Sequence, residues 1–340
     1  MPFTIYEDNG YLDMERLINL KKINFIFIIG ARGIGKTYGV LKYLIKHDEA
    51  RMMLIRRTVT QVELINIPEF SPLAKPASDL GFEYELKKIA KNYSKLQTLE
   101  DPPRILGYTA AMSTFSNIRG FDGSDINFIF YDEFQPERGD RVIKGEGEKF
   151  LNLYETINRN RELQGQPPVK AILASNANEI RSPILSEFGL TDVVAKMMDK
   201  KQEIYMNTNR GIAVIIPQRS PISAAKAETA LYVAAESEDF KSMALDNEFL
   251  EQSNVQSYPL KELKPLAAIG AMTVYLHKSR GFVYISLHRS GDCESYDTSE
   301  SGTRVFKDNY YWMVPAYLGQ NIIFESMRAR MAFEKIFFGS

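Results

Sequence analysis

Residues 23–29 form a continuous β-branched and aromatic run, the pattern of a strand buried on both faces of a parallel sheet. A glycine-rich turn, residues 30–35, follows it. From Thr37 the apolar positions Val40, Leu41, Leu44 and Ile45 recur at helical spacing, so a strand, a loop and a helix are predicted in immediate succession. Residues 52–55 predict the next strand. Apolar and charged positions alternate imperfectly over residues 82–99 around Asn92, which predicts a hairpin that residues 105–112 extend. Residues 128–131 and 169–174 are two more short apolar runs, the first closed by Asp132-Glu133 and the second by Ser175-Asn176. Between them, Leu151, Tyr154 and Ile157 predict a helix that carries Asn158-Arg159-Asn160-Arg161. Strands alternating with helices imply a mostly parallel, right-handed α/β sheet.

From residue 220 to 246 the composition shifts to Ala, Ser, Glu and Lys, which predicts a partly helical connector. Beyond it, residues 271–276 and 282–287 flank His277-Lys278-Ser279-Arg280-Gly281 as a hairpin, and residues 322–338 predict a terminal helix. The expected organisation is therefore an α/β domain over residues 1–217, a linker over 218–253 and a small α+β domain over 254–340. A chain of 340 residues exceeds what one core usually organises, which agrees with two domains.

Composition narrows the function classes. Lys and Arg number 42 against 43 Asp and Glu, so no whole-chain field marks a nucleic-acid or membrane binder, and any DNA contact must come from local basic patches. Cys293 is the single cysteine, which excludes an internal disulfide, fits a reducing cytosol and predicts a small buried residue. With only His47, His277 and His288 besides, no zinc-ligand spacing exists. The first ten residues lack the pattern of a signal peptide, and the longest apolar run is far too short to cross a bilayer.

Candidate chemistry concentrates at the strand ends. Gly30-Ala31-Arg32-Gly33-Ile34-Gly35-Lys36-Thr37 matches G-x4-G-K-[ST] between a buried strand and a helix. Its glycines let backbone N–H groups turn toward phosphate oxygens, Lys36 would reach the β- and γ-phosphates, and Thr37 would ligate magnesium. Downstream, Asp132 is the second magnesium-holding candidate and Glu133 the general base for a water molecule. The expected ligands are thus ATP and Mg²⁺. Ser175 and Asn176, at a carboxyl strand end, could sense the γ-phosphate or the attacking water; both are also good helix N-caps. Arg159 and Arg161, two positions apart on the predicted helix, would point in different directions, one toward a neighbour's nucleotide, the other into a local pair. A solvated salt bridge is the competing role.

Taken together, these residues resemble the DNA-packaging ATPases of phi29-like phages, relatives of large terminases within the additional-strand catalytic-glutamate P-loop ATPases. The likeness runs through residues 27–36, Asp132-Glu133-Phe134, Arg159-Asn160-Arg161-Glu162, Ser175-Asn176-Ala177, and Leu245-Asp246-Asn247 with Phe249. It implies a homopentameric ring in the host cytoplasm, docked transiently at the portal of a procapsid, pumping double-stranded DNA inward, with a packaging RNA as a further possible partner. It also maps a finger acting in trans onto Arg159, and places beside Arg56-Arg57 a family position whose basic residue works across the subunit interface. The C-terminal domain would resemble an RNase H-like nuclease that has lost its carboxylates and binds nucleic acid. Residues 273–276 and 282–287 carry no acid, and Asp292, Glu294 and Asp297 read as solvated loop charges, so no nuclease activity is expected. A P-loop helicase is the nearest rival; a kinase needs no water-activating glutamate, and a scaffold protein needs none of Lys36, Thr37, Asp132 and Glu133.

For DNA, the loop after Glu133 offers Arg138, Arg141 and Lys144, although Glu137, Asp140, Glu146 and Glu148 nearly cancel their charge. Lys278, Arg280 and Arg289, or Arg328, Arg330 and Lys335 on the terminal helix, are the next candidates.

Overall fold

A computed structural model describes residues 4–90, 93–118, 121–136, 143–176, 182–218, 220–234 and 254–339. The chain forms two compact units, Met1–Thr191 with Gln202–Phe249, and Asp192–Lys201 with Leu250–Ser340.

The first unit is built on nine strands: β1 (Phe25–Ile29), β2 (Met52–Arg56), β3 (Tyr84–Ala90), β4 (Tyr93–Thr98), β5 (Ile105–Ala111), β6 (Phe128–Asp132), β7 (Lys170–Ser175), β8 (Ile204–Asn207) and β9 (Ile212–Ile215). They are ordered β3-β4-β5-β2-β6-β7-β1-β9-β8. The pairings from β5 across to β9 are all parallel, while β3, β4 and β8 add antiparallel edges. The α/β expectation therefore holds, with β7 inserted between the strand of the glycine-rich loop and the strand of the two acids. The β8–β9 hairpin is absent from the pattern-based reading, because strands of four residues offer too few alternations to register.

Burial alternates along the central strands. Ile26 and Ile28 of β1, with Phe130 of β6, join the core that holds Val40, Leu41 and Leu44 of the helix Lys36–Lys46. Phe27 instead meets Phe134 and Phe188, and Tyr131 stacks on Phe150 of the helix Glu146–Asn158. Helices on both faces explain why these strands read as unbroken apolar runs. They also leave the carboxyl ends of β1, β6 and β7 as the open edge where polar groups can gather.

The second unit carries β10 (Leu263–Ile269), β11 (Met272–His277), β12 (Val283–Ser286), β13 (Glu294–Tyr296) and β14 (Ile322–Phe324), ordered β13-β10-β11-β12-β14. The β11–β12 hairpin is antiparallel, and the outer strands β13 and β14 run parallel to β10 and β12. Its core joins Val274 and Ile285 to Phe306, Met313 and Phe333 from three helices. Residues 322–324, expected within a terminal helix, form β14 instead; Ser326 caps a helix that spans only Met327–Phe338. A strong N-cap overrides apolar continuity. Glu294 lies on the edge strand β13, not in a loop, and Cys293 is only half-buried. No helix among the described residues is long and apolar enough to cross a membrane.

Candidate functional site

Gly33 and Gly35 sit at φ +72° and +93°, conformations that only glycine adopts freely, and they bend the chain sharply between β1 and the helix Lys36–Lys46. That curl lines one wall of a cavity of about 530 Å³. Lys36, Thr37, Asp132, Glu133, Ser175 and Asn176 all border it, so residues separated by as many as 140 positions share one space.

Lys36 is buried, and its Nζ donates to the carbonyls of Gly30 and Ala31 at 2.7 and 2.8 Å and to Asn176 Oδ1 at 3.1 Å. All three acceptors are neutral. Burial pushes its pKa down to about 7, although Asp132 and Glu133 pull the other way. Asp132 is buried as well, and desolvation raises its carboxyl pKa against the opposing pull of Arg56. Burial thus drives both groups toward neutrality. A bound polyphosphate with a cation would reverse both pressures, and the two side chains fit such a ligand pair.

The Thr37 hydroxyl donates to Asp132 at 3.0 and 3.1 Å to its two oxygens. A hydroxyl and a carboxylate side by side suit magnesium, which takes few protein ligands and keeps the rest of its shell for water and phosphate. Among the described residues no three His, Cys, Asp or Glu side chains gather as a fuller metal site.

Glu133 follows β6 at φ +59°, an unusual conformation for a non-glycine residue that turns its half-exposed side chain into the cavity. Arg56 holds it at 2.5 Å and Asp132 at 2.7 Å. This clamp arises because β2 pairs with β6 in a register that sets Ile55 beside Tyr131, so the next residues face each other. The resemblance places beside Arg56-Arg57 a family position that works across the subunit interface; the contact of Arg56 with these acids depends on strand adjacency, which cannot be read from the chain. Arg57 also borders the cavity and is buried with Glu146, its Nε 3.1 Å from the carboxylate; the Tyr131 hydroxyl donates to the same group. Glu146, counted from the sequence among the acids of the loop after Glu133, is in fact fully buried at the start of its helix. A matching cation made that possible.

Ser175 donates to Gln135 Oε1 at 3.0 Å, a cavity residue that pattern reading missed, and Asn176 faces Lys36. Neither caps a helix among the described residues; Ser182 takes that position for the helix Pro183–Glu187.

Arg159 departs from expectation. The helix stops at Asn158, and Arg159 occupies its C-cap at φ +45°, ψ −128°. Its guanidinium donates to the Phe121 carbonyl at 3.0 Å and lies 3.6 Å from Asp122, while Arg161 donates to the carbonyls of Ser124 and Ile126. The two arginines thus converge on one loop instead of diverging along a helix. Arg159 does not border the cavity of its own chain and is half-exposed.

Of the DNA candidates, Lys144 is exposed just before the helix Glu146–Asn158, whereas Arg138 and Arg141 lie outside the described residues, as do Ala177 and residues 245–249. Arg330, among the further DNA candidates, is paired with Glu334 at 2.9 Å and donates to the Tyr317 hydroxyl.

A model of the family described as Podovirus DNA encapsidation protein (Gp16) matches residues 5–289. The DNA packaging protein of Bacillus phage B103 is 26% identical over 249 residues, covering 72% of this chain and 68% of that one. That of Bacillus phage phi29 is 25% identical over 255 residues, covering 74% and 67%. Among solved structures, the bacteriophage Phi-29 viral genome packaging motor assembly superposes with a TM-score of 0.55 at 18% identity, over 98% of this chain and 100% of that one, a likeness of fold.

Proposed function

The chain belongs to the podovirus DNA encapsidation protein family, and from that premise we propose that it hydrolyses ATP to drive double-stranded viral DNA into a procapsid. The observation that carries the reading is the convergence of Lys36, Thr37, Asp132, Glu133 and Asn176 on one cavity. In this reading ATP and water give ADP and phosphate. Lys36 exchanges its carbonyl and Asn176 partners for β- and γ-phosphate oxygens, and the loop's backbone N–H groups hold the remainder of the chain. Thr37 and Asp132 would hold magnesium, which when bound would offset the negative charge of the phosphates. Glu133 orients the attacking water and takes its proton; to do so its carboxylate must first leave Arg56. Asn176, already within reach of Lys36, is placed to register loss of the γ-phosphate.

Arg159 serves a neighbouring subunit. Its absence from the lining of its own cavity and its sparsely populated backbone conformation favour a role outside its own chain, and strain of this kind is retained at working sites. The working form is accordingly a ring, a pentamer by resemblance to the family, docked on the portal in the host cytoplasm, with a packaging RNA as a further partner. The second unit would be a non-catalytic, nuclease-derived nucleic-acid or portal binder.

The test is ATP turnover by the purified chain, with and without duplex DNA and procapsids. Duplex-stimulated hydrolysis is expected, abolished by Lys36→Ala through loss of binding and by Glu133→Gln with binding retained. Parental turnover in Glu133→Gln would remove the assigned base, and stimulation by single strands alone would favour a helicase.

A further inference from the structure

Lys226 reaches the phosphate loop from a segment far along the chain. It lies in the helix Pro221–Ala227, which follows the sheet's β9 and is tied back by Ser220, whose hydroxyl donates to the Gly10 carbonyl. From there its butyl chain crosses the face of Gly33: a Cβ at that glycine would collide with Lys226 Nζ and lie 3.0 Å from its Cε. The ammonium donates to the Arg32 carbonyl. Gly33 and Arg32 both border the nucleotide cavity, so this cation stands on its rim.

Its partners are incomplete. Lys226 is half-buried, and among the described residues no carboxylate pairs with it; a single backbone carbonyl receives its charge. Desolvation lowers its pKa, and it is one of the cations that depress Lys36. A lysine brought partly out of water needs a counter-ion, since one neutral acceptor returns only part of its hydration. The only strongly anionic group this cavity is suited to receive is the polyphosphate of the nucleotide. Glycine at position 33 is required by its backbone conformation, and a Cβ there would also push aside the end of the Lys226 side chain.

We propose that Lys226 is a second nucleotide-binding cation, which leaves the Arg32 carbonyl to bind an oxygen of the polyphosphate chain when nucleotide enters. The inference rests on the nucleotide reading of the cavity. It makes the segment after β9 part of the site, so that phosphate occupancy is felt by residues far along the chain from the loop.

Equilibrium binding of Mg-ATP and of inorganic tripolyphosphate to the full chain, by calorimetry, tests it. Lys226→Ala and Lys226→Gln should each weaken both ligands about tenfold, the range of one charge-assisted hydrogen bond, while Lys226→Arg stays within about twofold. Gln retains a donor for the Arg32 carbonyl but no charge. Full affinity in Lys226→Gln would therefore assign the lysine to loop support and overturn the proposal, as would unchanged affinity in Lys226→Ala. A loss for ATP without one for tripolyphosphate would place the contact on the nucleoside and equally overturn it. If the unsubstituted chain binds neither ligand, the nucleotide reading falls first, and Lys36→Ala, expected to bind neither, provides the baseline for that outcome.

Discussion

In the five-stranded sheet's unit, Arg330 reaches Glu334 at 2.9 Å and the Tyr317 hydroxyl at 3.2 Å. Nearby, Glu325 accepts from Ser286 Oγ at 2.7 Å and the Leu287 amide at 2.9 Å, and meets the His288 ring at 2.6 Å. Charge there closes on itself. In the nine-stranded sheet, Lys36 is as well buried, yet its ammonium meets only neutral oxygens, and Asp132 must share Arg56 with Glu133. Both units bury polar groups at strand ends; only one leaves them short of opposite charge. The closed arrangement stabilises a fold, whereas the one around Lys36 costs stability that a charged ligand can restore.

The largest effect that would sharpen this contrast lies at subunit contacts. Arg159→Ala subunits keep an intact cavity, and Glu133→Gln subunits keep an intact Arg159, so mixing the two inactive forms should restore some ATPase activity. Each alone should lose on the order of 10³-fold in rate or more, the usual worth of an arginine finger or a catalytic base acting on phosphate. Because Arg159 donates to exposed backbone carbonyls, pairs at 3.6 Å only with an exposed Asp122 and carries backbone strain, Arg159→Ala should stay within about 1 kcal/mol of parental stability. Absence of recovery at every mixing ratio would return Arg159 to a local role.

Next in size is the buried pair. Arg57 and Glu146 are 1% and 0% exposed, so removing either partner strands a charge without water. Glu146→Gln and Arg57→Met should each destabilise the first unit by about 3 kcal/mol or more, with the double variant less than additive. The partly exposed Arg330–Glu334 pair, one helical turn apart, should cost about 1 kcal/mol and leave nucleotide affinity unchanged. Urea titration read by fluorescence compares them directly; equal costs would dissolve the distinction between the two interiors.

How far the chain disclosed this in advance follows from the range of each signal. The glycine-rich loop, the strand ending in Asp132-Glu133 and the strand ending in Ser175-Asn176 are local patterns, and their side chains do meet in one cavity. Arg56 on those acids, Arg57 on Glu146 and Lys226 over Gly33 depend on which strands are neighbours and which segments fold back, information that no window of sequence holds. Helix ends were the weak point among local signals. Apolar periodicity ran through Arg159 and through residues 322–324, where cap geometry and a parallel strand pairing prevailed.

The smallest expected effect is a pH dependence of the ligand-free chain. Lys36 titrates near pH 7 when folded against an ordinary value of 10.5, so between those limits the unfolded chain binds the extra proton. Stability must therefore rise with pH across that window, because the slope has the sign of protons bound unfolded minus protons bound folded. One pKa unit corresponds to about 1.36 kcal/mol, and water entering the open cavity offsets part of it, which leaves a gain on the order of 1 kcal/mol from pH 7 to 9. Asp132, shifted the opposite way by burial, contributes a slope of opposite sign, so the comparison with a variant lacking the lysine isolates Lys36. Chemical denaturation at pH 7, 8 and 9 should show the rise in the parental chain and a flat response in Lys36→Met. Saturating tripolyphosphate should also flatten it, since an anion beside the ammonium restores its proton. A rise that persists in Lys36→Met would assign the titration to another group and weaken the view that this cavity holds its lysine short of opposite charge.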